Sequence, residues 1–271
     1  MIKKGIKKVV SIFIKKHPPL LNITNVGILY LCTGKYEMFF DDFYKSFEKK
    51  FLPGASKSFF VFTDSERLNK KYANYSDIRF FKIEHKGWPL GTLLRNRYFH
   101  QNFEQFEGLQ YLFFCNANLV CKENVYLNEL GLVSGNLLCG VQHPFYFHKQ
   151  PSEFIVEKTT VCKAFFSGEE LEKLSHYFQG CFYGGKLNAF REMVNTIYHW
   201  TEEDLKDNVM PIWLDESYLN RYFYFNPPFV LHSGYSYPGN AIIPFPIKII
   251  NLDKHKLDNN YFKRDNFDFR N

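Results

Sequence analysis

The chain contains 271 residues, of which 34 are Lys or Arg and 28 are Asp or Glu, so its formal net charge is +6. Residues 1–20 contain six lysines and no acidic residue, which leaves 28 basic and 28 acidic residues in the rest of the chain. A body without net charge argues against a nucleic-acid-binding protein built on a broad basic face. The hydrophobic fraction of 45% indicates a globular chain, long enough for one large α/β domain or two small ones.

Membrane spans, a secretory signal and bound zinc all lack support in the sequence. No run of about 18 apolar residues is present, so we predict no membrane-spanning helix. The longest apolar run near the N-terminus, residues 12–14, is too short for a signal peptide. The six cysteines show no CxxC or Cys/His spacing, so we predict reduced, buried thiols in a cytosolic protein.

Residues 2–14 have the pattern of an amphipathic helix, which the pair Pro18-Pro19 would end. The apolar face would consist of Ile2, Ile6, Val9, Val10 and Phe13. The basic face would consist of Lys3, Lys4, Lys7 and Lys8. Such a helix suits an anionic membrane surface, and the alternative is a solvated extension. We predict a cytoplasmic protein that is peripherally attached to the inner membrane through residues 2–16.

From residue 26 the sequence alternates between short apolar runs and helical patterns. The predicted strands are 26–32, 58–62, 78–83 and 111–115, and the predicted helices are 38–47 and 92–106. This alternation predicts an α/β fold with a mostly parallel central sheet covered by helices. Ligands of such folds bind beyond the carboxyl ends of the strands. A polar tail begins at about residue 251.

The sequence Asn116-Ala117-Asn118 follows directly after the apolar strand 111–115. Two carboxylates with this spacing would point the same way from an extended chain and could hold a divalent cation. Asparagine side chains are neutral and bind Mg²⁺ or Mn²⁺ only weakly. By itself the Asn-Ala-Asn sequence says little about function, and its meaning depends on the segments around it.

Seven segments of the chain, in the same order, resemble glycosyltransferase family 6, which contains the ABO blood-group transferases and the α-1,3-galactosyltransferase. They are ILYLCTGKY (28–36), VFTD (61–64), WPLGTLLR (88–95), YLFFCNANL (111–119), QHPFY (142–146), YFQGCFYGG (177–185) and WLDESYLNRYF (213–223). The chain is most similar in pattern to bacterial members that carry Asn-x-Asn in place of Asp-x-Asp.

The resemblance implies transfer of galactose or N-acetylgalactosamine from a UDP donor to the 3-hydroxyl of a galactose, with retention of the α configuration. It also implies a GT-A-type, Rossmann-like fold in which residues 24–250 form a single catalytic domain. Residues 1–20 would be the basic N-terminal segment, and residues 251–271 a tail that closes over the donor. Given the Asn-x-Asn sequence, the resemblance implies catalysis without a metal ion or any other cofactor.

The resemblance implies donor-binding roles for two groups of residues around the first strand and the Asn-x-Asn sequence. Tyr36 matches a tyrosine that packs on the uracil base, and Cys32 and Thr33 lie in the same turn. Asn116 and Asn118 are expected to hydrogen-bond the ribose, phosphate or sugar of the donor. The alternatives are a turn aromatic that covers the core and polar residues that end a strand.

The negative charge that develops on the leaving UDP requires fixed hydrogen-bond donors in the absence of a cation. Arg95 matches an arginine of the family that reaches the donor. Lys254, in the tail, matches a lysine that contacts the diphosphate, and Lys256 is a weaker candidate. The alternative for both lysines is a solvated surface position.

Glu216 is the residue to which the resemblance assigns the reaction. Its carboxylate could stabilise an oxocarbenium-like sugar or attack the anomeric carbon in a two-step reaction. Residue identity does not decide between that covalent route and a same-face reaction. In either scheme Glu216 also contacts the acceptor. The alternative is a first-turn carboxylate favoured by the helix dipole. Asp215 could bind donor hydroxyls or cap the helix.

His143 and Trp213 match residues that bind the acceptor galactose, the tryptophan through the apolar face of its ring. Leu214 and Ile155 stand where the blood-group enzymes have a histidine and a threonine, which leaves open an acceptor that differs from a mammalian glycan. We expect that acceptor to be an oligosaccharide or lipid-linked glycan that ends in a fucosylated galactose.

Donor choice is expected to depend on Gln179, Gly180 and Cys181. In the family the third of these positions lies near the C2 substituent of the donor, and a side chain there reduces the room for an acetamido group. Cys181 therefore favours UDP-galactose over UDP-N-acetylgalactosamine, which stays the alternative. A non-catalytic nucleotide-sugar or glycan binder is the other alternative, and the intact segment around Glu216 argues against it.

Overall fold

The structure is a computed structural model that describes residues 25–262. The helix predicted over residues 2–14 and the end of the tail, residues 263–271, lie outside this range. The strands are β1 (Asn25–Cys32), β2 (Ser56–Thr63), β3 (Ile78–Lys82), β4 (Tyr111–Cys115), β5 (Leu119–Cys121), β6 (Leu138–Gln142), β7 (Phe178–Lys186), β8 (Phe229–Leu231), β9 (Tyr237–Pro238) and β10 (Ile249–Asn251). The helices are α1 (Phe40–Lys50), α2 (Glu66–Lys71), α3 (Leu90–Leu93), α4 (Arg95–Gln101), α5 (Gly168–Glu172), α6 (Leu187–Lys206), α7 (Asp215–Phe225) and α8 (Asn259–Phe262).

Seven strands form the central sheet, in the order β3-β2-β1-β4-β7-β6-β8. Strand β7 runs antiparallel to both of its neighbours, β4 and β6, whereas the other neighbouring strands pair in parallel. The predicted α/β fold with a mostly parallel central sheet is therefore confirmed, in an arrangement consistent with a Rossmann-like GT-A domain. Of the helices between residues 25 and 262, none has the length and apolar character needed to cross a membrane.

Both faces of the central strands are buried, which explains their continuous apolar sequences. In β1 the side chains of Val26, Ile28 and Tyr30 point into a core cluster shared with α1. Leu29, between them in sequence, points into a second cluster on the opposite face of the sheet, shared with α4, α6 and α7. The helices therefore cover the sheet on both sides, and the carboxyl ends of the strands stay open for a ligand.

The segment predicted as one helix over residues 92–106 forms three shorter pieces. These are α3, α4 and a 3₁₀ turn at Phe103–Phe106, with breaks at Leu94 and Asn102. In a straight helix, Leu93 would point about 120° away from Phe99. The breaks bring both side chains into the same core cluster. The prediction of a single helix was wrong because contact with the sheet, rather than helical periodicity, determines the path of this segment.

A second, three-stranded sheet connects the Asn-Ala-Asn sequence to the C-terminal tail. Its order is β5-β10-β9, and β10 pairs antiparallel with β5 so that Leu119 faces Asn251. Residue 251, predicted as the first residue of the tail, is therefore still part of a strand. The chain continues from it along the open end of the central sheet.

Gly184, in β7, lies between the backbones of β4 and β6 and has no room for a side chain. A Cβ atom there would lie 2.3 Å from Phe113 Cδ1 and 2.5 Å from the Leu112 carbonyl oxygen. We expect Gly184→Ala to lower the free energy of unfolding by about 1–3 kcal/mol, the usual cost of overpacking. The measurement is the midpoint of urea-induced unfolding.

Gly168→Ala is the matched control, because no atom lies within 4 Å of a Cβ at Gly168. We expect this substitution at the start of α5 to change the free energy of unfolding by less than about 0.5 kcal/mol. Equal midpoints for the two variants would contradict the packing argument.

Candidate active site

A pocket of about 850 Å³ lies at the carboxyl ends of β1, β4 and β6, where the start of β7 and the start of α7 complete its wall. Parallel strands bring the residues that follow them to one edge of the sheet, and antiparallel β7 brings its first residues to the same edge. Thirteen of the predicted site residues line this pocket. They are Thr33, Tyr36, Arg95, Asn116, Asn118, His143, Gln179, Gly180, Cys181, Trp213, Asp215, Glu216 and Lys254.

Besides the weaker candidate Lys256, Cys32 is the predicted site residue that does not line the pocket. It is the last residue of β1, and its side chain is completely buried in the core cluster shared with α1. Burial raises the pKa of its thiol to about 12. Successive side chains of a strand point to opposite faces, so Thr33 rather than Cys32 faces the pocket. The donor-binding role predicted for Cys32 does not agree with this position of its side chain.

The two asparagines after β4 have different surroundings. The Asn116 main-chain N–H donates to the carbonyl oxygen of Cys181 at 2.8 Å, which joins the end of β4 to the start of β7. Asn116 Nδ2 donates to Asn118 Oδ1 at 3.3 Å. Asn118 Nδ2 donates to the carbonyl oxygen of Leu252 at 2.7 Å. Within residues 25–262, no group of three or more His, Cys, Asp or Glu side chains is arranged to hold a metal ion.

Glu216 lies in the first turn of α7 and is held at the floor of the pocket by the start of β7. The Gly180 main-chain N–H donates to Glu216 Oε2 at 2.7 Å. A second connection comes from Asn220, one turn further along α7, whose carboxamide exchanges two hydrogen bonds with the main chain of Phe178, both at 2.8 Å. These bonds fix α7 against β7, so the position of the Glu216 carboxylate is set by the main chain of its neighbour strand.

Arg95, the first residue of α4, contacts both elements that form the floor of the pocket, α7 and β7. Its guanidinium lies 3.1 Å from an Asp215 carboxylate oxygen, and Nη1 donates to the Gly180 carbonyl oxygen at 2.8 Å. The Arg95 and Asp215 side chains are only 8% and 4% exposed. The guanidinium also lies over the ring of Phe114, 4.3 Å from its centroid. Arg95 therefore lines the pocket, and it also fixes the positions of the Asp215 side chain and the Gly180 main chain.

The Glu216 carboxyl group has a strongly shifted pKa. Burial raises this pKa from 4.5 to about 7, and the neighbouring Asp215 charge acts in the same direction. The Gly180 N–H, the Tyr177 hydroxyl and Arg95 oppose the shift without cancelling it. Glu216 thus changes its protonation state near neutral pH, as expected of a carboxyl group positioned for chemistry.

The turn before α7 has a strained backbone. Leu214 has φ 54° and ψ −130°, a conformation that non-glycine residues adopt at a cost of about 1–3 kcal/mol. The Trp213 main-chain N–H donates to Ser217 Oγ at 3.0 Å, which holds the turn closed. As a result Trp213 stays 42% exposed at the pocket wall while Leu214 is buried. The exposed indole ring offers a flat apolar surface to a ligand.

His143 follows β6 and is neutral across the physiological range. Burial lowers its pKa to about 4, with a smaller contribution from Lys149. Its Nδ1 accepts a hydrogen bond from the Phe145 main-chain N–H at 3.2 Å, so the neutral ring carries its proton on Nε2. Within the pocket, His143 can therefore donate one hydrogen bond through Nε2.

The wall of the pocket near β1 is formed by the turn after that strand and by the C-terminal segment, residues 252–262. Lys254 Nζ donates to the Tyr36 hydroxyl at 2.7 Å, and Phe262 packs edge-on against the Tyr36 ring at 5.0 Å. On the other side of the turn, His85 Nδ1 lies 3.0 Å from Thr33 Oγ1. This side of the pocket thus combines aromatic rings with one cation.

Several lining residues were missed by the sequence analysis. They are His85, Tyr177, Asn251, Tyr261 and Phe262. Tyr177 begins the segment YFQGC, and Asn251 ends an apolar strand in the way that Asn116 follows one. Both sequence patterns indicate a position at the pocket. The other three come from loops and the tail, whose approach to the pocket depends on tertiary structure.

A model of glycosyltransferase family 6 matches residues 12–264 of the chain. The chain belongs to glycosyltransferase family 6. Over 231 residues it is 36% identical to the O-antigen biosynthesis glycosyltransferase WbnI of Escherichia coli, covering 85% of this chain and 95% of that protein. As a family 6 glycosyltransferase, the protein is a transferase that takes a nucleotide-sugar donor and a glycan acceptor.

More distant relatives of this family 6 glycosyltransferase are animal enzymes. The globoside alpha-1,3-N-acetylgalactosaminyltransferase 1 of Homo sapiens is 26% identical over 243 residues, covering 86% of this chain and 67% of that protein. The histo-blood group ABO system transferase 2 of Rattus norvegicus is 21% identical over 224 residues, covering 77% of this chain and 61% of that protein. The predicted family is therefore confirmed.

The raised pKa of Glu216 has a consequence for stability. Between pH 4.5 and about 7 the folded enzyme holds a proton on Glu216 that the unfolded chain releases, so its stability falls as pH rises through this range. A glutamine at this position stays neutral and avoids this loss. We expect Glu216→Gln to raise the melting temperature by about 2–4 °C at pH 8 and much less at pH 5.

The measurement is thermal unfolding of both proteins at the two pH values. Glu172→Gln, an exposed substitution in α5, is the control and is expected to show no such dependence on pH. A melting-temperature difference for Glu216→Gln that is the same at both pH values would contradict the raised pKa of Glu216 in the folded protein.

Proposed function

We propose that the protein is a retaining, metal-independent α-1,3-galactosyltransferase. It would move galactose from UDP-galactose to the 3-hydroxyl of a galactose acceptor, which we expect to be fucosylated. The observation that carries this proposal is the Glu216 carboxyl group, which lines the pocket, accepts a hydrogen bond from the Gly180 main-chain N–H and lies next to the buried Arg95–Asp215 ion pair. A group held in this way supports a reaction at the anomeric carbon of a bound sugar.

Ionised Glu216 supplies a negative charge where positive charge develops on the sugar ring. It either stabilises the oxocarbenium-like transition state or attacks the anomeric carbon from the face opposite UDP, and the acceptor hydroxyl then displaces this covalent bond from the face that UDP has left. Both routes retain the α configuration. The bond between the sugar and the β-phosphate oxygen breaks, and its electron pair leaves with UDP.

The departing UDP needs compensation for its negative charge. Lys254 supplies a cation in the pocket wall, and the Asn116 amide supplies a neutral hydrogen-bond donor. Neither side chain of the Asn-x-Asn sequence carries a charge that would favour a divalent cation. These features support catalysis without a metal ion. Side chains of the protein, rather than a bound metal ion, would then compensate the negative charge of the leaving UDP.

The choice of galactose rests on Cys181. Its Sγ lies in the pocket, 3.3 Å from Asn251 Nδ2 and 3.7 Å from Asn116 Nδ2, and takes room at the position that the family resemblance assigns to the C2 substituent. The second candidate is transfer of N-acetylgalactosamine, which the names of the globoside alpha-1,3-N-acetylgalactosaminyltransferase relatives favour. One small group at this position changes the preference by about 1–3 kcal/mol.

The acceptor side of the pocket supports a galactose ligand. The exposed face of Trp213 can cover the apolar C–H face of the sugar, and neutral His143 can donate a hydrogen bond from Nε2 to a ring hydroxyl. The relative WbnI is named for O-antigen biosynthesis. We propose that the enzyme completes a blood-group-B-like glycan of a bacterial lipopolysaccharide, at the cytoplasmic face of the inner membrane.

The proposal predicts a defined product in a transfer assay that contains EDTA. UDP-galactose and UDP-N-acetylgalactosamine are offered separately to 2′-fucosyllactose and to lactose, and products are identified by mass spectrometry. We expect a galactosylated product, formed faster from 2′-fucosyllactose. Turnover that requires added Mn²⁺ would contradict metal independence, and preferential use of UDP-N-acetylgalactosamine would support the second candidate.

Glu216→Gln is the control in the same assay. We expect this variant to lose at least about 100-fold in turnover, because the neutral amide cannot stabilise or attack the anomeric carbon, while UDP still binds. If the wild-type protein binds UDP but forms no product from any of these substrates, a non-catalytic nucleotide-sugar binder becomes the better interpretation.

Membrane attachment through residues 2–16 is a separate part of the proposal. A chain shortened to begin at Leu21 is expected to keep its activity but to lose binding to vesicles of anionic lipids, because six lysines and the apolar stripe are removed. The measurement is co-sedimentation with anionic and with neutral vesicles. Unchanged binding to anionic vesicles would contradict this part.

A further inference from the structure

Asn118 and Leu252 are joined by a reciprocal pair of hydrogen bonds. The Leu252 main-chain N–H donates to the Asn118 carbonyl oxygen at 2.8 Å, which extends the pairing of β5 with β10 by one residue. The Asn118 side chain then donates from Nδ2 to the Leu252 carbonyl oxygen at 2.7 Å. The second member of the Asn-x-Asn sequence is thus bonded to the segment that leads into the C-terminal tail.

The segment after Leu252 lines part of the pocket through Lys254, Tyr261 and Phe262. Lys254 follows two residues later and bonds to the Tyr36 hydroxyl at 2.7 Å. Further along, Asp258 forms an ion pair with Lys35 at 2.5 Å. The direction in which the segment leaves β10 therefore decides whether Lys254 reaches the pocket.

We propose that Asn118 is a positioning residue, which acts on the donor through the C-terminal segment rather than by contact of its own side chain. Both polar ends of its carboxamide are already engaged, Nδ2 by Leu252 and Oδ1 by Asn116. The residue is only 6% exposed. By holding Leu252, it keeps Lys254 beside Tyr36. The effect on donor binding rests on the proposed function, whereas the hold on the segment does not.

The chemistry of the Asn118–Leu252 bond explains why a carboxamide stands at this position. A carboxylate has no N–H to donate, so an aspartate would place a negatively charged oxygen against the Leu252 carbonyl oxygen. This repulsion would displace the segment after Leu252 further than loss of the hydrogen bond alone would. The bond to Leu252 thus favours asparagine over aspartate at this position, independently of whether a metal ion is bound.

The first experiment is hydrogen–deuterium exchange of the full chain without nucleotide, comparing wild type with Asn118→Ala and Asn118→Asp. We expect the amides of residues 252–258 to exchange roughly fivefold faster in the alanine variant, as for loss of one neutral hydrogen bond, and faster still in the aspartate variant. Unchanged exchange of these amides would overturn the proposal. Amides of β1 serve as the internal standard for a folded domain.

Asn136→Ala is the matched control. The Asn136 carboxamide also donates to a main-chain carbonyl oxygen, that of Gly131 at 2.8 Å, but Asn136 does not line the pocket and its bonds are to its own turn. We expect exchange of residues 252–258 to be unaffected. Acceleration by this variant as well would mean that a general loss of stability, rather than the Asn118 bond, loosens the segment.

The second experiment measures UDP binding by calorimetry, which does not require sugar transfer. We expect Asn118→Ala and Lys254→Ala each to weaken UDP binding, and the double variant to be little worse than Lys254→Ala alone, because both act through one segment. Additive losses would indicate that Asn118 contacts UDP directly and would overturn the proposal. Rescue of Asn118→Asp by Mn²⁺ would do the same. If no variant binds UDP and wild type does not either, the proposed function fails while the exchange result stands.

Discussion

The buried ion pair between Arg95 and Asp215 holds the centre of this molecule together. It joins α4 to the first turn of α7, and the same guanidinium bonds to the main chain of β7 at Gly180. Removing one partner of such a pair leaves an uncompensated buried charge, which typically costs about 3–5 kcal/mol. Because Gly180 in turn holds the Glu216 carboxylate, the geometry of the reactive group depends on this pair.

The same interaction explains the electrostatics of the pocket floor. Two adjacent carboxyl groups, Asp215 and Glu216, lie beside one guanidinium. The cation is 3.1 Å from Asp215, and the pKa of Glu216 stays raised by burial and by the Asp215 charge. Neighbouring carboxyl groups with different surroundings can take different roles, one structural and one reactive. Their sequence positions alone, side by side, do not distinguish them.

Much of the fold and the pocket could be predicted because the motifs follow strand ends. The strand 111–115 is apolar throughout since both of its faces are buried, and the residues after it reach the open edge of the sheet. The breaks at Leu94 and Asn102, which divide the predicted helix 92–106, could not be predicted, because they serve contacts with the sheet. The side-chain direction of Cys32 was mispredicted because Cys32 ends a strand, and a shift of one residue along a strand moves a side chain to the opposite face of the sheet.

The sequence by itself determined the family, the alternation of strands and helices, and the residue types at the site, since these depend on local composition and on segments in order. Tertiary structure alone decided that Asn118 faces Leu252, that Arg95 is occupied by Asp215, and that Tyr261 reaches the turn after β1. These contacts join residues far apart in the chain. Their geometry follows from how the helices and the small sheet pack on the central sheet, which no local pattern encodes.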